Sequence, residues 1–220
     1  MSIIQSVITD KYCIISGDSR MTYLKDNTVV SGINKIIKLN NSIMFGITGN
    51  PYDSFKLFDG FCYYHTTKGF ENTGEAISIT YSDFVKIITE RYKIMKQEHE
   101  SGAKKYDLGD IVCGVNENKF EITSFNLGSK EHMDGIYTAH KSLNFPYKAA
   151  IVGSKGSNDI LSELAQNLYF KYKEQLSVLQ WKNIMQEVAD ITSKYDNTID
   201  TNINFEVIRK IEKNGNIFYK

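Results

Sequence analysis

The chain has 220 residues, 41% of them hydrophobic, which is enough for a sizeable core and too apolar for a disordered segment. Lys plus Arg equals Asp plus Glu at 26 each, so no basic excess exists to neutralise phosphates or to bind an anionic membrane surface. Cys13, Cys62 and Cys113 show no zinc-knuckle or CxxC spacing, no secretory pattern opens the chain, and no apolar run approaches the ~20 residues of a membrane helix; the expectation is a cytoplasmic protein without nucleic-acid or membrane partners.

In chain order, residues 3–9 and 12–16 are β-branched runs around the turn-like Asp10-Lys11, which predicts a hairpin. Residues 34–39 and 42–48 repeat the arrangement around Asn40-Asn41. Pro51 follows Gly49-Asn50 and suits a first helical turn; Phe55, Phe58, Phe61 and Cys62 then recur at helical spacing. Residues 68–78 are glycine-punctuated and read as loop. A second helix is expected over 81–99, with Ser82 as N-cap and Phe84, Ile87, Ile88, Tyr92 and Met95 as its buried stripe.

Strands follow at 110–115 and 120–125 around Asn116-Glu117-Asn118, then at 133–139 and 148–152. Residues 157–172 carry Ile160, Leu161, Leu164 and Leu168 on one side of a helix; residues 178–194 do the same with Trp181, Ile184, Met185, Val188 and Ile191. The chain closes on strands at 203–211 and 217–219 around Asn214-Gly215. Runs of strands separated by pairs of helices predict an α+β fold in one domain, residues 1–220. Two stacked antiparallel sheets with a helix pair on each outer side, an αββα sandwich, would bury all four amphipathic stripes.

Several short motifs, in fixed order, resemble the proteasome β-type subunits and the peptidase of the bacterial two-component, ATP-dependent protease. They are Gly17-Asp18-Ser19-Arg20-Met21-Thr22, Asn34-Lys35-Ile36, Phe45-Gly46-Ile47-Thr48-Gly49 and Asp53-Ser54-Phe55, with Cys113-Gly114-Val115, Asn126-Leu127-Gly128 and Gly153-Ser154-Lys155-Gly156 in the second half. Each is weak alone; together they span most of the chain. The family is one of N-terminal-nucleophile (Ntn) hydrolases.

The resemblance implies a site. The family's nucleophile, a threonine, stands sixteen residues before the motif aspartate, and the same count back from Asp18 falls on Ser2. Removal of Met1 would expose the Ser2 α-amine, whose ordinary pKa of about 7.7–8.0 suits a base that activates its own hydroxyl. Lys35 resembles the catalytic lysine, Asp18 its ion-pair partner, and Gly49 the oxyanion donor through its backbone N–H. Ser154 resembles a serine near the terminal amine, and Asp196 the aspartate of a D-x-x-S pattern, in which Ile199 stands where the serine should fall and Thr198 is the nearest hydroxyl. Thr22 resembles the residue that binds an extended substrate backbone, with Met21, Ile47 and Gly49 lining the substrate side.

The implied activity is hydrolysis of a peptide or unfolded protein without metal or organic cofactor, inside a homo-oligomeric ring served by an ATP-dependent unfoldase. Two alternatives stand beside it: a non-catalytic, ring-building subunit, and an Ntn hydrolase of small amides. Gly153-Ser154-Lys155-Gly156-Ser157 lacks phosphate-loop spacing, and His65, His99, His132 and His140 lack metal-ligand spacing.

Overall fold

The computed structural model describes residues 2–23, 28–65, 67–73, 78–128, 133–141, 145–153, 157–172 and 175–220. The elements in chain order are β1 (Ile3–Ile8), β2 (Tyr12–Asp18), β3 (Met21–Tyr23), β4 (Thr28–Val30), β5 (Ile36–Asn40), β6 (Ile43–Gly46), α1 (Pro51–Phe58), β7 (Cys62–His65), β8 (Gly69–Asn72), α2 (Tyr81–Glu100), β9 (Leu108–Asn116), β10 (Lys119–Leu127), β11 (Gly135–His140), β12 (Lys148–Gly153), α3 (Ser157–Tyr172), α4 (Val178–Thr192), β13 (Ile203–Lys213) and β14 (Asn216–Tyr219). This is a mixed α/β fold with two five-stranded antiparallel sheets, ordered β12-β1-β2-β13-β14 and β11-β10-β9-β6-β5, and small hairpins β3-β4 and β7-β8.

Strand periodicity explains how the sheets are buried. Ile3 and Val7 of β1 pack in one cluster with Leu161, Trp181, Ile184, Met185 and Val188 of the α3–α4 pair, while Ile4 and Ile8 pack in another with Ile36, Met44, Ile111 and Cys113 from the second sheet. On β9, Leu108 and Val112 turn to a third cluster with Leu57, Phe58, Phe84 and Ile88 of α1 and α2. Side chains two residues apart share a face, so each central strand is apolar on both sides.

Most expected elements are present, with corrections. The helix that Pro51 starts is capped by Asn50, whose side chain accepts from the Tyr52 N–H at 3.1 Å, and it ends at Phe58; Phe61 and Cys62 belong to the turn and strand beyond. The stretch read as loop over 68–78 contains β8, which pairs with β7. The α2 cap is Thr80, not Ser82, because the Thr80 hydroxyl is the one that accepts from the Asp83 N–H, at 3.2 Å. Ile87 is 37% exposed and lies off the buried stripe. No helix among the described residues is long and apolar enough to cross a membrane.

Candidate active site

Ser2, Asp18 and Lys35 meet where strands begin or end together. Ser2 precedes β1, Asp18 ends β2, Lys35 precedes β5, and Gly49 lies between β6 and α1. Register enforces this: Ile4 pairs with Gly17 across β1 and β2, and Ile36 pairs with Gly46 across β5 and β6. The two sheets close on each other here because Gly17 and Gly46 carry no side chain. A Cβ at Gly46 would stand 2.6 Å from Ile4 Cγ2, and one at Gly17 would stand 2.7 Å from Ile4 Cδ1.

Lys35 is 3% exposed and Asp18 fully buried. The Lys35 ammonium donates to Ser2 Oγ at 2.7 Å, to Asp18 Oδ1 at 2.9 Å and to the Arg20 carbonyl, so its three protons have three acceptors. Burial pushes the Lys35 pKa below its ordinary value, and the charges of Asp18 and Asp200 oppose that shift without cancelling it. Asp18 is held in turn: Oδ1 also accepts from the Ile3 N–H at 2.9 Å, and Oδ2 accepts from the N–H groups of Arg20 at 3.1 Å and Asp200 at 3.4 Å. Asn34 braces the lysine's backbone, since its side-chain oxygen takes the Ile36 N–H and its own N–H and C=O bond to Lys68 and Phe70.

Asp200 is a carboxylate that sequence reasoning missed. It is 5% exposed, accepts from the Ser19 hydroxyl at 2.9 Å and from the Asn202 N–H at 3.1 Å, and reaches Asp18 through its own backbone N–H. Burial raises its pKa, but the Asn202 N–H, the Ser19 hydroxyl and Arg20 outweigh burial and leave it below the ordinary carboxylate value. The Asp196 carboxylate accepts at Oδ1 from both the N–H and the hydroxyl of Thr198. Ile199 is buried against the α3–α4 cluster. Ser154 lies outside the described residues, as does Met1.

Gly49 adopts φ +85°, and a Cβ there would stand 2.5 Å from the Asp107 carbonyl. The bridge from Gly49 to Leu108 is made by Asn50 N–H to Asp107 O at 2.7 Å and Gly109 N–H to Thr48 O at 3.3 Å, which leaves the Gly49 N–H out of the ladder. Gly153 at φ +106° allows β12 to pass against Ser2, whose carbonyl a Cβ would meet at 1.8 Å.

On the expected substrate side, Met21 is buried and its sulfur accepts from the Tyr64 hydroxyl at 3.1 Å; Thr22 is half-buried on β3, paired with Val29. Ile47 is placed differently from the expectation. Its side chain is 2% exposed in the α1–α2 cluster and its N–H donates to the Lys35 carbonyl at 3.0 Å, so neither faces a substrate.

This architecture is the fold of the proteasome-like Ntn hydrolases. The eukaryotic HslV from Trypanosoma brucei matches with a TM-score of 0.57 over 94% of this chain and 99% of its own, at 15% identity. An Anbu mutant from Hyphomicrobium sp. strain MC1 matches with a TM-score of 0.60 over 100% of this chain and 86% of its own, at 8% identity. No protein-family model and no curated protein matches the sequence.

Proposed function

We propose that this chain is a proteasome-like Ntn hydrolase that cleaves peptide amide bonds with Ser2 once Met1 is removed. One observation carries the reading: Lys35 Nζ stands 2.7 Å from Ser2 Oγ and 2.9 Å from Asp18 Oδ1 in a buried site. In this reading Ser2 Oγ attacks the substrate carbonyl while the α-amine of Ser2 takes its proton. The Lys35 ammonium beside that amine disfavours its protonated form and keeps it basic at neutral pH. The Gly49 N–H stabilises the tetrahedral oxyanion. Collapse returns the proton to the leaving nitrogen and leaves an ester on Ser2, which water then hydrolyses.

The proposal includes one domain, a four-layer αββα arrangement supported by the three core clusters, and a cytoplasmic homo-oligomeric ring that receives unfolded chains from an ATP-dependent unfoldase. Thr22 binds the substrate backbone and Met21 shapes the adjoining pocket. Ser154 and Asp196 complete the surroundings of the amine.

A second reading, a non-catalytic scaffold of the same fold, is favoured by the burial of Ser2 at 8% exposure and by Ile199 at the motif serine. Hydrolysis of a fluorogenic peptide panel and a small-amide panel by the wild type and Ser2→Ala decides between them. The proposed function predicts peptide turnover that Ser2→Ala abolishes without changing the fold. Turnover by neither protein supports the scaffold, and turnover confined to small amides replaces the peptidase with an amidase.

A further inference from the structure

Behind Gly49, on the side of β9 that faces α1, lies a buried acid for which the mechanism above has no use. Asp110 is fully buried, and its Oδ1 accepts from the Thr48 N–H at 3.1 Å and from the Ser54 hydroxyl at 2.9 Å. Its Oδ2 is buried and has no hydrogen-bond partner among the described residues. Ser54 Oγ also lies 3.3 Å from the Thr48 carbonyl, which takes the Gly109 N–H at 3.3 Å as well.

These contacts bear on catalysis through peptide geometry. The Thr48 carbonyl and the Gly49 N–H belong to one planar trans peptide, so they point in opposite directions. The Gly109 N–H pins that carbonyl towards β9 and so aims the Gly49 N–H away from it, while Asp110 holds the Thr48 N–H and the Ser54 hydroxyl. We propose that Asp110, acting through Thr48 and Ser54, is a positioning residue that aims the Gly49 N–H at the developing oxyanion. The inference rests on the hydrolase reading for its catalytic consequence, but its structural part stands apart from it.

The chemistry of the acid fits the task. Burial, together with the charges of Asp53 on α1 and Asp107 ahead of β9, holds Asp110 well above the usual carboxylate range, although the Thr48 N–H and Ser54 hydroxyl pull it down. Two cations of this region are engaged elsewhere, Lys104 by Asp53 at 3.6 Å and Lys56 of α1 by Glu98 at 3.0 Å. A neutral carboxyl presents one carbonyl-type oxygen to its two donors and carries its proton on the other. An asparagine reproduces that acceptor at any pH.

The test compares Asp110→Asn, Asp110→Ala and Ser54→Ala by two readouts. In kinetics, Asp110→Ala is expected to lower kcat roughly 10- to 100-fold with KM unchanged, the loss that a displaced catalytic group produces. Asp110→Asn keeps kcat within a few-fold. In NMR, the Gly49 amide peak moves in Asp110→Ala and Ser54→Ala and stays in place in Asp110→Asn. If Asp110→Ala does not fold, Ser54→Ala carries both readouts. An unmoved Gly49 peak, an unchanged kcat, or an asparagine variant as impaired as the alanine one overturns the proposal. A wild type that turns over no substrate sinks the hydrolase reading instead, and the NMR readout still judges the positioning role.

Discussion

Lys35 and Asp18 depend on each other for both charge and geometry. Removing one member of a buried ion pair leaves an uncompensated charge and typically costs about 3–5 kcal/mol. Lys35→Met and Asp18→Asn are therefore expected to destabilise the chain, Lys35→Met by about that amount, while the double variant recovers much of the loss in a thermal melt. Recovery of stability will not restore chemistry. Without the ammonium at 2.7 Å from Ser2 Oγ, reaction with a β-lactone probe is expected to fall by roughly 10²–10⁴-fold in Lys35→Met and in the double variant alike. Equal reactivity in the double variant and the wild type would make the pair purely structural. Asp18 and Lys35 were legible in the sequence because each sits inside a short motif in a fixed order. Asp200 was not, since its approach to Asp18 follows from the pairing of Ile203 with Asp18 across β2 and β13, a contact between distant parts of the chain. The one local hint for Asp110 was a carboxyl within the otherwise apolar run over 108–113.

At the scale of elements, the strand-to-helix turn at Gly49 is a tightly constrained feature of the site. Gly49→Ala places a Cβ 2.5 Å from the Asp107 carbonyl in a left-handed conformation, and a loss of about 1–3 kcal/mol is expected from denaturant unfolding. The aromatic stack beneath α1 supports the same turn from the core. Phe45 and Phe58 stack at 4.3 Å between ring centroids, both fully buried, so Phe45→Ala should cost about 3–5 kcal/mol in the same assay. A loss below the range typical of surface substitutions would show that this cluster repacks freely. Helix periodicity made α2, α3 and α4 legible. The β7-β8 hairpin was hidden because its strands are short and Cys62 of β7 falls at helical spacing from Phe58, and Ile47 misled because a residue inside a matching motif was assigned to the cleft when its alternation in the chain turns it into the core.

For the whole molecule, the balance of acids and bases hides an asymmetry in where they lie. Asp110 binds its proton more tightly folded than unfolded, where an aspartate titrates near 3.9. The folded state then holds more protons over the window above that value, so stability falls as pH rises until the folded group ionises. Asp110→Asn lacks this contribution, and its stability relative to the wild type is expected to grow with pH across the window in parallel melts; a constant difference would contradict it. The α+β class and the order of the elements were legible from alternating blocks of period two and period 3.6. The stacking of the sheets at the site, which follows from Ile4 filling the space left open by Gly17 and Gly46, was not written in either block alone.

The central claim is a free amine on Ser2 beside a buried ammonium, and intact-protein mass spectrometry before and after treatment with a β-lactone addresses it directly. The account predicts a chain lighter than the full sequence by its initiator methionine, which gains one inhibitor equivalent mapped to Ser2 and gains none as Ser2→Ala. A chain that keeps Met1 and stays unmodified would contradict it.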